Sequence, residues 1–145
     1  MINLADVRDD LTLRLRREPR VAGAPLPDHE ARWVGSLRRM CAGKLRRAVL
    51  PDLVDPAELV ITELVTNGLV HGTGEELVVR FLLTRRRLVI EVSDGSRGRA
   101  EVRTTGAEDE SGRGMFLVDA LADAWGTSAD GSTTWCSFTL PGSRP

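Results

Sequence analysis

The chain has 145 residues, with 20 lysines and arginines against 21 aspartates and glutamates and a formal net charge of −1. That length suits one domain, residues 1–145, with an ordinary hydrophobic core, and a second domain would not fit. The near-neutral balance supplies no global field to attract nucleic acid or an anionic membrane, and the arginine clusters (Arg14, Arg16 and Arg17; Arg38 and Arg39; Arg46 and Arg47; residues 85–87) are interspersed with acids and read as solvated faces.

No apolar run approaches the ~20 residues of a membrane span. The opening "MINLADVRDD" carries acids where a secretion signal needs a basic start and an apolar stretch. Cys41 and Cys136 are far apart and lack metal-ligand spacing, so reduced thiols in a cytoplasmic protein are expected.

In chain order, "LTLRLRR" (residues 11–17) alternates apolar and polar and predicts a half-buried strand, followed by the loop "EPRVAGAPLP". Ala31, Val34, Leu37, Cys41, Leu45 and Ala48 then make a helical stripe over residues 28–49, ended by Pro51. The other side of this helix carries Arg32, Arg38, Arg39, Arg46 and Arg47, which serve solubility or meet an acidic partner. In "DPAE", Asp55 can cap a second helix, Pro56 suits its first turn and Glu58 completes a capping box; Gly72 terminates it.

"EELVVRFLLTRRRLVIEVSDG" reads as a hairpin of two strands, residues 76–83 and 87–93. Residues 97–113 lack apolar periodicity, and so long a connection suits a glycine-hinged lid, mobile without ligand. "GMFLVDALADAW" is helical, and "WGTSAD" and "TTWCSFTL" are closing strands around the turn "DGS". The expected architecture is α+β: a two-layer sandwich with helices on one face of a mixed, mostly antiparallel sheet.

Three segments carry chemistry that this packing does not require. Glu63, Asn67 and His71 recur every four residues along one side of the second helix. They are flanked by Leu59 and Val70 on one edge and Val60 and Leu64 on the other, which predicts buried surroundings. Asp94, Gly95, Ser96, Arg97 and Gly98 stand where a strand ends. Ser111, Gly112, Arg113, Gly114 and Met115 lead into a helix, whose free N–H groups and positive dipole end suit an anion such as phosphate. Each segment alone has an ordinary reading, as turn glycines or a core asparagine hydrogen bond.

Taken in this order, the segments resemble the Bergerat ATP-binding fold shared by histidine kinases, DNA gyrase and the anti-sigma-factor serine kinases. The likeness is greatest to the last group, over residues 28–140. "TELVTNGLVHG" resembles its N box, "VSDG" its first glycine box, and "GRGMFLVDALADAWG" with "GSTTW" its second box and C-terminal strand.

The resemblance implies that the side-chain oxygen of Asn67 ligates a magnesium ion bridging the phosphates of ATP, a hard cation that takes oxygen donors. It implies Glu63 as general base toward the attacking hydroxyl or water, and Asp94 as acceptor from the adenine amino group. Gly112 and Gly114 would let the backbone approach the phosphates, Gly98 and Met115 join the nucleotide-binding set, and Thr133 helps close the adenine pocket. His71 either touches the nucleotide or caps the helix end with Gly72. The implied partners are a sigma factor, an anti-anti-sigma protein with a phosphorylatable serine, or both, with a homodimer allowed.

Two positions depart from the family pattern: Ser96 replaces the first glycine of D-x-G-x-G, and Ser132 replaces a lysine before the last motif's threonine. Both bear on phosphoryl transfer more than on ATP binding, because a rate needs closer positioning than binding does. Two other readings stay open. One is a non-catalytic interaction module that keeps the fold. The other is the catalytic half of a split histidine kinase, although no dimerisation helix pair with a phosphoacceptor histidine is visible and His29 is expected at the surface.

Overall fold

The computed structural model describes residues 3–19, 24–95 and 110–142. Most of the expected lid (residues 97–113), Gly98 included, falls outside them, as does Ser96. The strands are β1 (Val7–Arg16), β2 (Glu76–Thr84), β3 (Arg87–Ser93), β4 (Ala124–Thr127) and β5 (Thr133–Thr139). They form one sheet in the order β1-β2-β3-β5-β4, and the four pairings are antiparallel. The helices α1 (Asp28–Arg47), α2 (Pro51–His71) and α3 (Glu110–Leu121) give an α+β sandwich of two layers.

Alternation decides which sheet face the helices cover. Leu77, Val79 and Phe81 of β2, Leu88, Ile90 and Val92 of β3, and Cys136 and Phe138 of β5 point inward and are buried with Leu37 and Leu45 of α1 and Ile61 and Leu64 of α2. The opposite face is more polar. There Asp10 accepts from Arg80 at 3.1 and 3.0 Å, and this hydrogen bonding holds the Asp10 carboxyl below its ordinary range. β1 begins at Val7, earlier than its sequence pattern suggests, because Val7, Asp9 and Asp10 continue the ladder to Thr84, Leu83 and Leu82.

Three boundaries differ from the sequence reading. First, α2 starts at Pro51, which stands in its first turn after Leu50 at the N-cap, so Asp55 is no cap and Pro56 lies inside the helix. A proline there removes one backbone donor. Burial of Val54 and Ala57 offsets that loss and carries the helix through. Thr62 Oγ1 donates to the Glu58 carbonyl at 2.7 Å, mid-helix.

Second, α3 starts at Glu110, so Gly112 and Gly114 lie within its first turns and not ahead of it. Glycine lowers helix stability by about 1 kcal/mol without forbidding the conformation. Third, α3 stops at Leu121, and of the "ADAW" expected to extend it Ala122 and Asp123 lead into β4 while Ala124 and Trp125 open it: Asp123 donates its N–H to the Ser137 carbonyl at 2.9 Å, and Trp125 pairs with Cys136. Tertiary pairing overrides helical spacing at Trp125.

Among the described residues, no helix is long and apolar enough to cross a membrane. Cys41 and Cys136 are free thiols, both buried, and burial pushes each up to about 12.

Candidate functional site

The face of α2 carrying Glu63 and Asn67 is not enclosed as its composition suggests. Both residues are half-buried, and their neighbours Leu59 and Val70 are 48% and 49% exposed. The sheet and α1 cover the stripe through Val54, Ala57, Val60, Ile61, Leu64, Val65, Gly68 and Leu69. Glu63 and Asn67 stand at the edge of that cover, within reach of a ligand. The Asn67 amide nitrogen donates to Met115 Sδ at 3.8 Å, which ties this edge to α3.

Asp94 reaches the same helix from the sheet. Residues 88, 90 and 92 of β3 face inward, Asp94 continues that alternation, and it is 2% exposed. Its N–H donates to the Ser132 carbonyl at 2.9 Å, and its own carbonyl accepts from the Gly74 N–H at 3.2 Å. Its Cβ lies against α2, where a methyl added at Gly68 would stand 3.6 Å from it and one added at Gly72 only 2.7 Å. The end of α2 and the end of β3 thus approach as closely as bare backbone allows. Gly72 does end the helix as expected, but with φ −72 and ψ 141. Glycine is needed there for space and not for a left-handed turn.

An ion pair that sequence reasoning missed holds the end of α2 from the other side. Arg17 Nε donates to Glu30 Oε1 at 2.9 Å, and the two side chains are 2% and 0% exposed. The Arg17 guanidinium also donates to the carbonyls of Leu69 at 2.7 Å, Gly72 at 3.1 Å and Gly68 at 3.4 Å, while Glu30 Oε2 accepts the Glu18 N–H at 3.0 Å. A helix leaves its last carbonyls without intrahelical donors, and a cation suits the negative dipole end. Arg17 is therefore no solvated arginine, unlike the exposed Arg14 and Arg16. The signal was parity: Leu13 and Leu15 point inward, and Arg17 is the next inward position.

The register also separates two adjacent threonines. Thr133 pairs with Ser93 on the face away from the helices, and the two hydroxyls are hydrogen bonded. Thr134 pairs with Val92, is 7% exposed and shares the inward face with Asp94. Counting back from Cys136 would have distinguished them. Ser132 belongs to the β4–β5 turn: its N–H and hydroxyl both donate to Asp130 Oδ1, at 2.9 and 2.7 Å.

The structure thus brings Met115 to Asn67, and Asp94 to Gly68 and Gly72, of one and the same helix. Glu63 shares that helix one turn before Asn67, His71 is its last residue, and Thr133 lies across the sheet. No curated protein matched the chain. The family model described as the histidine kinase-like ATPase domain matches residues 26–138. That span contains α2, the Asp94 end of β3, α3 and nearly all of β5, and on it the chain belongs to the histidine kinase-like ATPase domain family.

Proposed function

We propose that the protein binds magnesium ATP between α2, the Asp94 end of β3 and α3, and acts as a regulator of the anti-sigma-factor type. The observation that carries this reading is Asp94. A nearly buried carboxylate, fixed through its backbone on both sides, faces the helix that bears Glu63 and Asn67. In this reading its oxygens accept from the adenine amino group, which burial makes selective.

The Asn67 side chain turns its nitrogen to Met115, and in this reading its oxygen is the donor to a hard cation, so the residue present fits magnesium. The ion, when bound, neutralises phosphate charge. Glu63 takes the proton of a partner serine as its Oγ bonds to the γ-phosphorus and the bond to the bridging oxygen breaks, releasing ADP. The partner is an anti-anti-sigma protein offering that serine, a sigma factor held without chemistry, or each in turn.

One observation favours the non-catalytic alternative. Ser132, where the related kinases carry lysine, is bound into the β4–β5 turn by Asp130 and brings no cation to the phosphates. Nucleotide-dependent partner holding then needs the fold and the pocket alone.

Calorimetry with magnesium ATP tests the reading: binding by the wild type, lost in Asp94→Ala, is expected. No binding at millimolar ATP by the folded wild-type protein would overturn it. Affinity capture with and without ATP, followed by a γ-phosphate transfer assay on what is captured, separates phosphorylation from holding.

A further inference from the structure

We infer that Arg17 is a positioning residue for the Asp94 end of the pocket, acting through the C-terminal turn of α2. This rests on the nucleotide reading above for its functional consequence, though not for its geometry.

The contacts run in one line. Glu30, in the first turn of α1, holds Arg17 Nε at 2.9 Å, and the Glu18 N–H fixes its other oxygen at 3.0 Å. The guanidinium then meets the carbonyls of Gly68, Leu69 and Gly72. Gly68 and Gly72 are the residues whose missing side chains let Asp94 Cβ lie against α2, and Gly74, just beyond, donates to the Asp94 carbonyl at 3.2 Å. Arg17 is itself tied to this turn, because its N–H donates to the Glu75 carbonyl at 2.8 Å.

The glycine-rich end of α2 has no left-handed closing residue: Gly72 is extended, and the chain leaves the helix at once. Such an end has little stiffness of its own, since glycine carries the most backbone freedom of any residue. A planar fork that bonds several carbonyls together supplies what the local sequence lacks, and a lysine, as a point charge, cannot reproduce it. Asp94 can read the base only if its distance from α2 is fixed. A displacement of about 1 Å in a site of this kind costs large factors.

The test uses Arg17→Lys and Glu30→Gln, with Leu45→Ala as a core control on the far part of α1. Amide hydrogen exchange is measured on the nucleotide-free protein, and calorimetry compares magnesium ATP with magnesium GTP. If the inference holds, protection falls at least tenfold at Gly74 and Asp94 but not at Phe81 or Ile90 in either variant. ATP affinity then drops about tenfold or more, with the weaker GTP affinity unchanged. Leu45→Ala lowers protection globally and keeps the ATP-to-GTP ratio.

Uniform loss of protection tracking global stability, or a wild-type ATP-to-GTP ratio in folded Arg17→Lys, would overturn it. If the wild type binds no nucleotide while exchange still loosens only at Gly74 and Asp94, the positioning stands and the ATP reading falls. Glu30→Gln keeps an acceptor for Arg17 and serves where Arg17→Lys does not fold.

Discussion

Gly72 touches Asp94. A methyl group on Gly72 would stand 2.7 Å from Asp94 Cβ and 2.3 Å from the Gly68 carbonyl oxygen, and the second neighbour is backbone that cannot rotate away. Gly72→Ala is therefore expected to push the end of α2 from β3 and to cost about 1–3 kcal/mol, the usual range for overpacking. Urea unfolding measures the loss, and calorimetry should show weakened magnesium ATP binding in the same variant. Since φ at Gly72 is −72, a conformation open to any residue, unchanged stability would mean that the contact relaxes freely.

The two threonines of "TTW" make a paired prediction. Thr134 shares the inward face with Asp94, and Thr133 bonds Ser93 on the other face. Thr134→Val should reduce ATP affinity, and Thr133→Val should leave it within about twofold while costing about 1 kcal/mol of stability for its lost hydrogen bond. The reverse ranking by calorimetry would restore Thr133 to the adenine pocket.

Parity explains much of what the sequence concealed. The strands of the sheet, α1 and the end of α2 were legible because their apolar residues recur with a clear period. Arg17 was not, because a run of arginines at a strand end looks like surface until the alternation is carried one residue further. Glu30 gave still less sign, since its burial depends on a partner thirteen residues away. The start of α2 was misplaced because "DPAE" satisfies every local rule for a cap, while the true start depends on how Val54 and Ala57 pack. Glu63 and Asn67 were placed correctly on one face but in the wrong surroundings, because composition does not tell which face of an apolar helix is left uncovered.

Glu63 and Asn67 predict separable losses. Asn67→Ala should make ATP binding insensitive to magnesium, since it removes the oxygen assigned to the ion. Glu63→Ala should keep nucleotide affinity and abolish γ-phosphate transfer wherever the wild type shows it, because a general base acts in the transition state and adds little to ground-state binding. Wild-type transfer in Glu63→Ala would place the base elsewhere.

Val49 predicts a gain. It follows α1 with φ 60, and the Leu50 and Val49 N–H groups donate to the Leu45 and Arg46 carbonyls at 2.9 and 3.0 Å, the double closure of a left-handed helix end. A β-branched residue is strained in that region, and here its side chain is 80% exposed, so nothing in the core depends on it. Val49→Gly should raise stability by about 1 kcal/mol, the relief of strain exceeding the added freedom of the unfolded chain. Thermal unfolding that shows no gain would mean that Val49 packs better than its exposure indicates.

The buried thiols predict how stability changes in alkali. Burial pushes Cys41 and Cys136 up to about 12, so between about pH 9 and 12 the folded protein keeps two protons that the unfolded chain releases. A group with a raised folded value contributes its full stability below the unfolded value and loses it as pH rises through the folded one. The expected slope is therefore a fall of about 1.4 kcal/mol per pH unit for each thiol once the unfolded thiol is ionised. Urea unfolding from pH 8 to 10.5 measures it. The Cys41→Ala, Cys136→Ala double variant should start less stable at pH 8, having lost two buried sulfurs, and then fall less steeply, so that the two curves converge. Neither thiol of the folded wild type should react with a water-soluble disulfide reagent at pH 8. Parallel curves, or rapid labelling without unfolding, would show that these side chains meet solvent at a cost far below that of opening the core.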